Sequence, residues 1–137
     1  MSKPPFFIDI DSIQPSQLYL SLDKIEEIKR KYDEITPDIF EEVPIKKLNK
    51  DTIYTDGHTR AYILWQYGYD SIKVVWEDDN LDWEAYQICV DWCKAEGITK
   101  ISDLKNRVIN NESYQIKWIK RCQDLFKSLE YERKKQG

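Results

Sequence analysis

Apolar and polar positions alternate in two rhythms along this chain, and the rhythm changes near residue 80. Before that point, short β-branched, aromatic or alternating runs at residues 6–10, 43–48, 52–54 and 71–76 predict four strands, the last with Ile72, Val74 and Trp76 on one face. Between the first two, Ser21 can cap a helix in which Leu22, Ile25, Ile28 and Tyr32 recur at helical spacing until Thr36-Pro37 ends it. Asn49-Lys50-Asp51 reads as a short hairpin turn. From the third strand, Thr55-Asp56-Gly57-His58 turns directly into a helix over residues 59–67, with Ala61, Leu64, Trp65 and Tyr67 toward the sheet and Gly68 as its close. The return to residues 71–76 has the length of a parallel βαβ crossover.

The second half is helical. Asp82 can cap a helix carrying Trp83, Tyr86, Val90 and Cys93 on one side, with Gly97 at its end. A short helix over residues 102–108 is broken by Asn110-Asn111, and a longer one over residues 113–129 places Ile116, Ile119, Phe126 and Leu129 on its apolar stripe. The polar tail, residues 131–137, is expected to fray.

Composition changes this picture little but excludes several classes of function. With 137 residues the chain has the length of one domain, a sheet-bearing core over residues 6–80 with a helical extension over 81–130. Its 5 Trp, 9 Tyr and 4 Phe are far more than a disordered chain carries. A formal net charge of -4 leaves no overall positive field to recruit a polyanion, so DNA binding ranks last among the functions considered. No apolar run approaches the length of a bilayer span, and Met1-Ser2-Lys3-Pro4-Pro5 has no leader character, which predicts a cytoplasmic protein without a membrane partner. Three cysteines, Cys89, Cys93 and Cys122, lack a C-x-x-C pair and are expected to be reduced and metal-free.

Candidate chemistry concentrates in Thr55-Asp56-Gly57-His58-Thr59-Arg60. Glycine permits a sharp turn after a strand, and the first free N–H groups of the following helix then point into the space at the strand's carboxyl end. Two basic side chains, His58 and Arg60, stand in the first turn, where a cation opposes the helix dipole, and a bound anion would remove that conflict. The plainer alternative is an ordinary turn, with Asp56 or Thr59 as the cap and Arg60 solvated or paired with a nearby acid.

With these residues in place, the stretch from Phe7 to Trp76 resembles the ParB/sulfiredoxin superfamily, whose fold sets a Gly-x-x-Arg turn after a strand to hold nucleotide phosphates. The resemblance implies an α+β fold with a mixed-sheet core. Asp56, Gly57, His58 and Arg60 match the Asp-Gly-His-His-Arg motif of the family's free-serine kinases, with Thr59 as the departure. Pro-Ser-Gln-Leu-Tyr, Asp-Gly-His-Thr-Arg, Leu-Asp-Trp-Glu-Ala-Tyr and Trp-Cys-Lys extend the likeness to bacterial ParB-domain proteins. Only Gly57 and Arg60 remain of ParB's own Gly-Glu-Arg-Arg, so clamp behaviour driven by CTP is not implied. His58 stands where sulfiredoxin has its cysteine, which removes sulfinic acid repair.

The resemblance thus implies nucleotide or phosphate binding by Gly57, His58, Thr59 and Arg60, with Ser16 and Gln17 on a loop facing the site and ATP or ADP with Mg²⁺ as the cofactor. Asp56 and His58 are the catalytic candidates for small-molecule phosphotransfer. The kinases carry a catalytic glutamate on the loop that here reads Gln14-Pro15-Ser16-Gln17-Leu18-Tyr19, and Gln17 cannot act as a general base. Asp11 or Asp56 are the substitutes at hand. The competing function is a noncatalytic module that binds a protein, or a second copy of itself as a homodimer, through its aromatic helical half.

Remaining signals favour packing over chemistry. The cysteines with His58 could form a zinc set, Trp76, Trp83, Tyr86 and Trp92 a base-stacking platform, and Glu77-Asp78-Asp79 a Mg²⁺ site. Buried small hydrophobes, core aromatics and a solvated strand end explain each of these more simply. Lys127, Arg133, Lys134 and Lys135 read as a solvated basic tail.

Overall fold

The computed structural model describes residues 3–136; Met1 and Ser2, part of the stretch read for leader character, and Gly137 of the tail lie outside the described residues. Its architecture is α+β, a mixed sheet with helices packed on it and a long C-terminal helix. The four expected strands are present as β1 (Phe6–Asp9), β3 (Val43–Leu48), β4 (Asp51–Tyr54) and β5 (Ser71–Trp76), in spatial order β1-β5-β3-β4. Residues 49–50 form the β3–β4 hairpin, and Asn49 supplies the left-handed backbone with φ 56°.

One topological expectation is corrected. β5 lies parallel to β3 and antiparallel to β1, so the crossover from the edge strand β4 passes β3 and inserts β5 between β3 and β1. β4 and β5 are therefore not parallel neighbours. Ile72 and Val74 are buried between two partners, which a run of this apolar density requires.

A two-residue strand β2 (Leu20–Ser21) pairs in parallel with β6 (Val108–Ile109), bonding the first half of the chain to the helical extension. Ser21 also caps α1 (Leu22–Lys31), accepting from the Lys24 N–H. Helix α2 (His58–Gln66) is buried around more of its circumference than its sheet-facing side: Tyr62 and Ile63 are enclosed along with Ala61 and Leu64, whereas Tyr67 is half exposed. The cause is the extension itself, since the 3₁₀ turn Ile101–Asn106 packs against α2 and buries Ile101 and Leu104 there.

Asp82 caps α3 (Trp83–Ala95) as expected, and residues 101–106, read as the start of a short helix, form that 3₁₀ turn before β6. The last helix departs further from its reading. It starts as α4 (Asn111–Tyr114), widens into a π-helical turn (Gln115–Ile119) and continues as α5 (Lys120–Gln136). A π turn takes up an extra residue and shifts the phase of the inward face. Tyr114 and Trp118 are consequently the buried residues, while Ile116 and Phe126 of the expected stripe are 61% and 51% exposed. The tail does not fray within the described residues: Arg133 forks onto Asp82 at 2.8 and 3.0 Å and also meets Glu84, holding the end of α5 to the start of α3.

Candidate functional site

The site is built where β4 ends. Gln14 runs beside β4, its N–H donating to the Thr52 carbonyl and its own carbonyl accepting from Tyr54, so the following loop is held against the strand's carboxyl end. Ser16 is thereby delivered next to the turn. Its hydroxyl donates to the Tyr54 carbonyl at 2.7 Å and its backbone N–H donates to His58 Nε2 at 3.0 Å.

Gly57 makes the turn itself. Its φ is +80°, and a Cβ placed there would lie 2.9 Å from both Arg60 Nη2 and Val43 Cγ2. Glycine is required on both counts. Asp56 Oδ1 accepts from the Gly57 N–H at 2.8 Å, which stiffens the turn without capping the helix, and no side chain caps α2. The ordinary-turn alternative loses its cap, because neither Asp56 nor Thr59 fills that role. The N–H groups of His58, Thr59 and Arg60 thus stand at the first turn without an intrahelical acceptor.

His58 differs from its sequence reading. It is buried against the Tyr54 ring, with centroids 5.0 Å apart, and burial pushes its pKa down to about 4, against a smaller upward pull from Asp56. At neutral pH the ring is uncharged, so it does not oppose the helix dipole. Nε2 accepts from Ser16, which leaves the single ring proton on Nδ1 as a donor. Arg60 alone carries a positive charge in that turn. Its Nη1 donates to the Glu41 carbonyl at 2.9 Å, and it forms no ion pair with a carboxylate among the described residues.

Residues 56–60 open into a cleft of about 370 Å³, closed on the far side by α1 and by Tyr114. Contributors not found in the sequence include Lys24, whose ammonium is 5.1 Å from the Tyr114 ring centre, and Tyr114 itself, which accepts a 3.0 Å hydrogen bond from the Gln17 amide. Glu27 lines the same cleft, so two cations face two carboxylates and the three free amides tip the balance toward an anion. Gln17 also donates to the Tyr19 carbonyl, so its amide nitrogen is committed to structure and its loop presents no base.

A second cavity of about 200 Å³ adjoins the first through Gln17, Asp56 and His58, which line both, and extends between α3 and α5. Cys89 and Cys122 are on its wall, and Cys93 is fully buried nearby. The two wall thiols interact: the hydrogen bond from Cys89 holds the Cys122 thiol below its ordinary pKa, and the proton left on Cys89 is correspondingly harder to remove. Burial pushes Cys93 up to about 12. Among the described residues no cluster of three or more His, Cys, Asp or Glu side chains could hold a metal ion, and His58 is turned toward Ser16 instead of the thiols.

The other expected groups are placed elsewhere. Asp11 is on the 3₁₀ turn Ile10–Ser12 after β1 and lines neither cavity. Glu77 bonds Thr55 and the Asp79 N–H at the end of β5. Trp92 packs edge-on against Trp118 with Arg121 over its face, and Trp76 packs against Phe6, so the aromatics do not form one platform. Among the described residues, no helix is long and apolar enough to cross a membrane.

No protein-family model and no curated protein matches the chain. Among solved structures it is similar to protein Atu1540 from Agrobacterium tumefaciens, with a TM-score of 0.50 and 17% sequence identity over 74% of this chain. The likeness is one of fold, and the match spans 61% of that protein's length.

Proposed function

We propose that this chain binds the phosphate of a nucleotide or small phosphate compound at the Gly57 turn, as a ParB/sulfiredoxin-like protein related to the free-serine kinases. One observation carries the reading: three uncapped first-turn amides open into a cleft beside an arginine that no carboxylate neutralises, at a glycine whose hydrogen is all the turn can accommodate. Such an arrangement costs helix stability unless an anion completes it. Arg60 supplies the charge, the amides of His58, Thr59 and Arg60 supply directed hydrogen bonds, and His58 Nδ1–H is a neutral donor alongside them.

ATP or ADP with Mg²⁺ fits the donor set in part. Mg²⁺ keeps several waters and takes one or two carboxylates plus phosphate oxygens, and Glu27 and Asp56 are the carboxylates that line the cleft. The ion would bring charge neutralisation to the phosphates. The chain's own contribution is to orient them and, through Asp56, to accept the proton of an attacking hydroxyl, since Gln17 cannot.

That same Gln17 favours a second reading, a noncatalytic module that keeps the phosphate turn for binding alone and works through a protein partner. A thermal-shift screen against ATP, ADP, CTP, GTP and inorganic phosphate, each with and without Mg²⁺, tests the binding reading. A ligand specific to the folded state at 100 times its Kd adds about 2.7 kcal/mol and raises the melting temperature. An unchanged midpoint with all of them contradicts it. Isotope transfer from ATP to an alcohol then separates the phosphotransferase from the module.

A further inference from the structure

We propose that the cavity between α3 and α5 is an acceptor subsite for a small neutral alcohol with an apolar body, its hydroxyl directed at Asp56. This rests on the phosphate reading above and narrows it to a substrate class. The cavity and the phosphate cleft share Gln17, Asp56 and His58 as lining residues, so Asp56 borders both. Beyond the junction the wall is Ala85, Cys89, Trp118, Cys122 and Phe126.

The hydroxyl donors on that wall are already committed. Ser16 Oγ donates to the Tyr54 carbonyl, the Tyr86 hydroxyl donates to the Thr55 carbonyl at 2.8 Å, and Thr55 Oγ1 is held between Pro44 and Glu77. Asp56 is the single charged side chain lining the cavity, and His58 is neutral. A free amino acid would bring a carboxylate that finds no cation there, and an ammonium whose one charged partner is Asp56; stripping the carboxylate of water without a partner is unfavourable. An apolar body loses nothing by entering, and its hydroxyl finds an acceptor in the Asp56 carboxylate. About 200 Å³ is below the range of about 300–1,000 Å³ usual for drug-sized ligands, so the body is small. In the transfer this supports, the alcohol oxygen forms a bond to the terminal phosphorus of ATP, the bond to ADP breaks, and the hydroxyl proton passes to Asp56.

Titration of the labelled protein with 2-phenylethanol, L-serine and inorganic phosphate, followed by amide and indole NMR, tests this. The alcohol is expected to shift Ala85, Cys89 and the Trp118 indole, and to slow maleimide alkylation of Cys122, while L-serine does neither. Phe126→Ala, at the exposed rim where the fold does not depend on it, should weaken the alcohol by about threefold, the loss of part of one apolar side chain's contact. Scattered shifts, or serine equal to the alcohol, would overturn the subsite. Phosphate reads out separately at the amides of residues 57–60: alcohol shifts without phosphate shifts support the cavity assignment and defeat the phosphate reading, and the reverse pattern leaves the phosphate reading standing and defeats this one.

Discussion

The backbone N–H of Ser16 donates to Nε2 of His58 across 3.0 Å, joining a loop and a helix start that are 42 positions apart in the chain. The bond sets the tautomer of a buried ring, and through it the loop that carries Gln17 is held at the mouth of the cleft beside residues 56–60. Loop, turn and helix behave as one unit.

The burial of that ring has a pH signature. The folded pKa of His58 is about 4 against an ordinary 6.5, so between those values the unfolded chain binds a proton that the folded protein refuses. Stability from this group is full above about pH 6.5 and is lost as pH falls toward 4, by up to about 3 kcal/mol. Urea denaturation between pH 7 and 5 should show that loss for the wild type and a flatter profile for His58→Gln; parallel profiles would contradict the burial argument.

Gly57→Ala forces a Cβ into a left-handed turn, 2.9 Å from Val43 and from Arg60. The backbone alone costs about 1–2 kcal/mol, and the contacts add to it. A lower urea midpoint at an unchanged m-value is expected. Gly68→Ala shares the positive φ but meets nothing within 4 Å, and so should cost less.

At the start of α3, Arg133 holds the Asp82 carboxyl below the usual carboxylate range, chiefly by hydrogen bonding. A depressed folded pKa contributes stability above the unfolded value of 3.8 that is lost as pH falls through the folded one. Arg133→Ala should return the Asp82 titration toward its ordinary range by NMR and speed amide exchange at residues 130–136. Arg133 is half exposed and Asp82 only partly buried, so the pair is screened by solvent and the effect on global stability is expected to be small.

The thiols should rank by environment. Cys122 is expected to react first with a maleimide, because its thiol is held below its ordinary pKa and the thiolate is the nucleophile, and Cys93 last, because it is fully buried from the reagent. Peptide mass mapping over time reads the order directly, and early labelling of Cys93 would contradict the packing described.

Much of this architecture was legible. The hairpin around Asn49, the caps at Ser21 and Asp82 and the Gly57 turn are set by residues a few positions apart, where local chemistry decides. What was not legible depends on distant partners. Nothing near residues 71–76 states that β5 inserts beside β3, two-residue strands such as β2 and β6 carry no periodic signal, and the π turn at residues 115–119 moves the buried face from Ile116 to Trp118 without a breaker residue to announce it. Lys24 and Tyr114 escaped for the same reason: each is an ordinary residue of its own helix and joins the cleft only when those helices close around residues 56–60. His58 was recognised as a site residue but read as a cation, because burial, which neutralises it, is a tertiary property.

The central claim is that residues 57–60 hold a phosphate group, and a titration of the ¹⁵N-labelled protein with ADP or inorganic phosphate tests it most directly. Saturable shifts concentrated at the amides of Gly57, His58, Thr59 and Arg60 are predicted, with Arg60→Ala weakening the affinity by at least about tenfold through loss of a charge-assisted contact of about 1.5–3 kcal/mol. Amides at that turn that stay unmoved at saturating phosphate and ADP, or binding indifferent to Arg60, would contradict it.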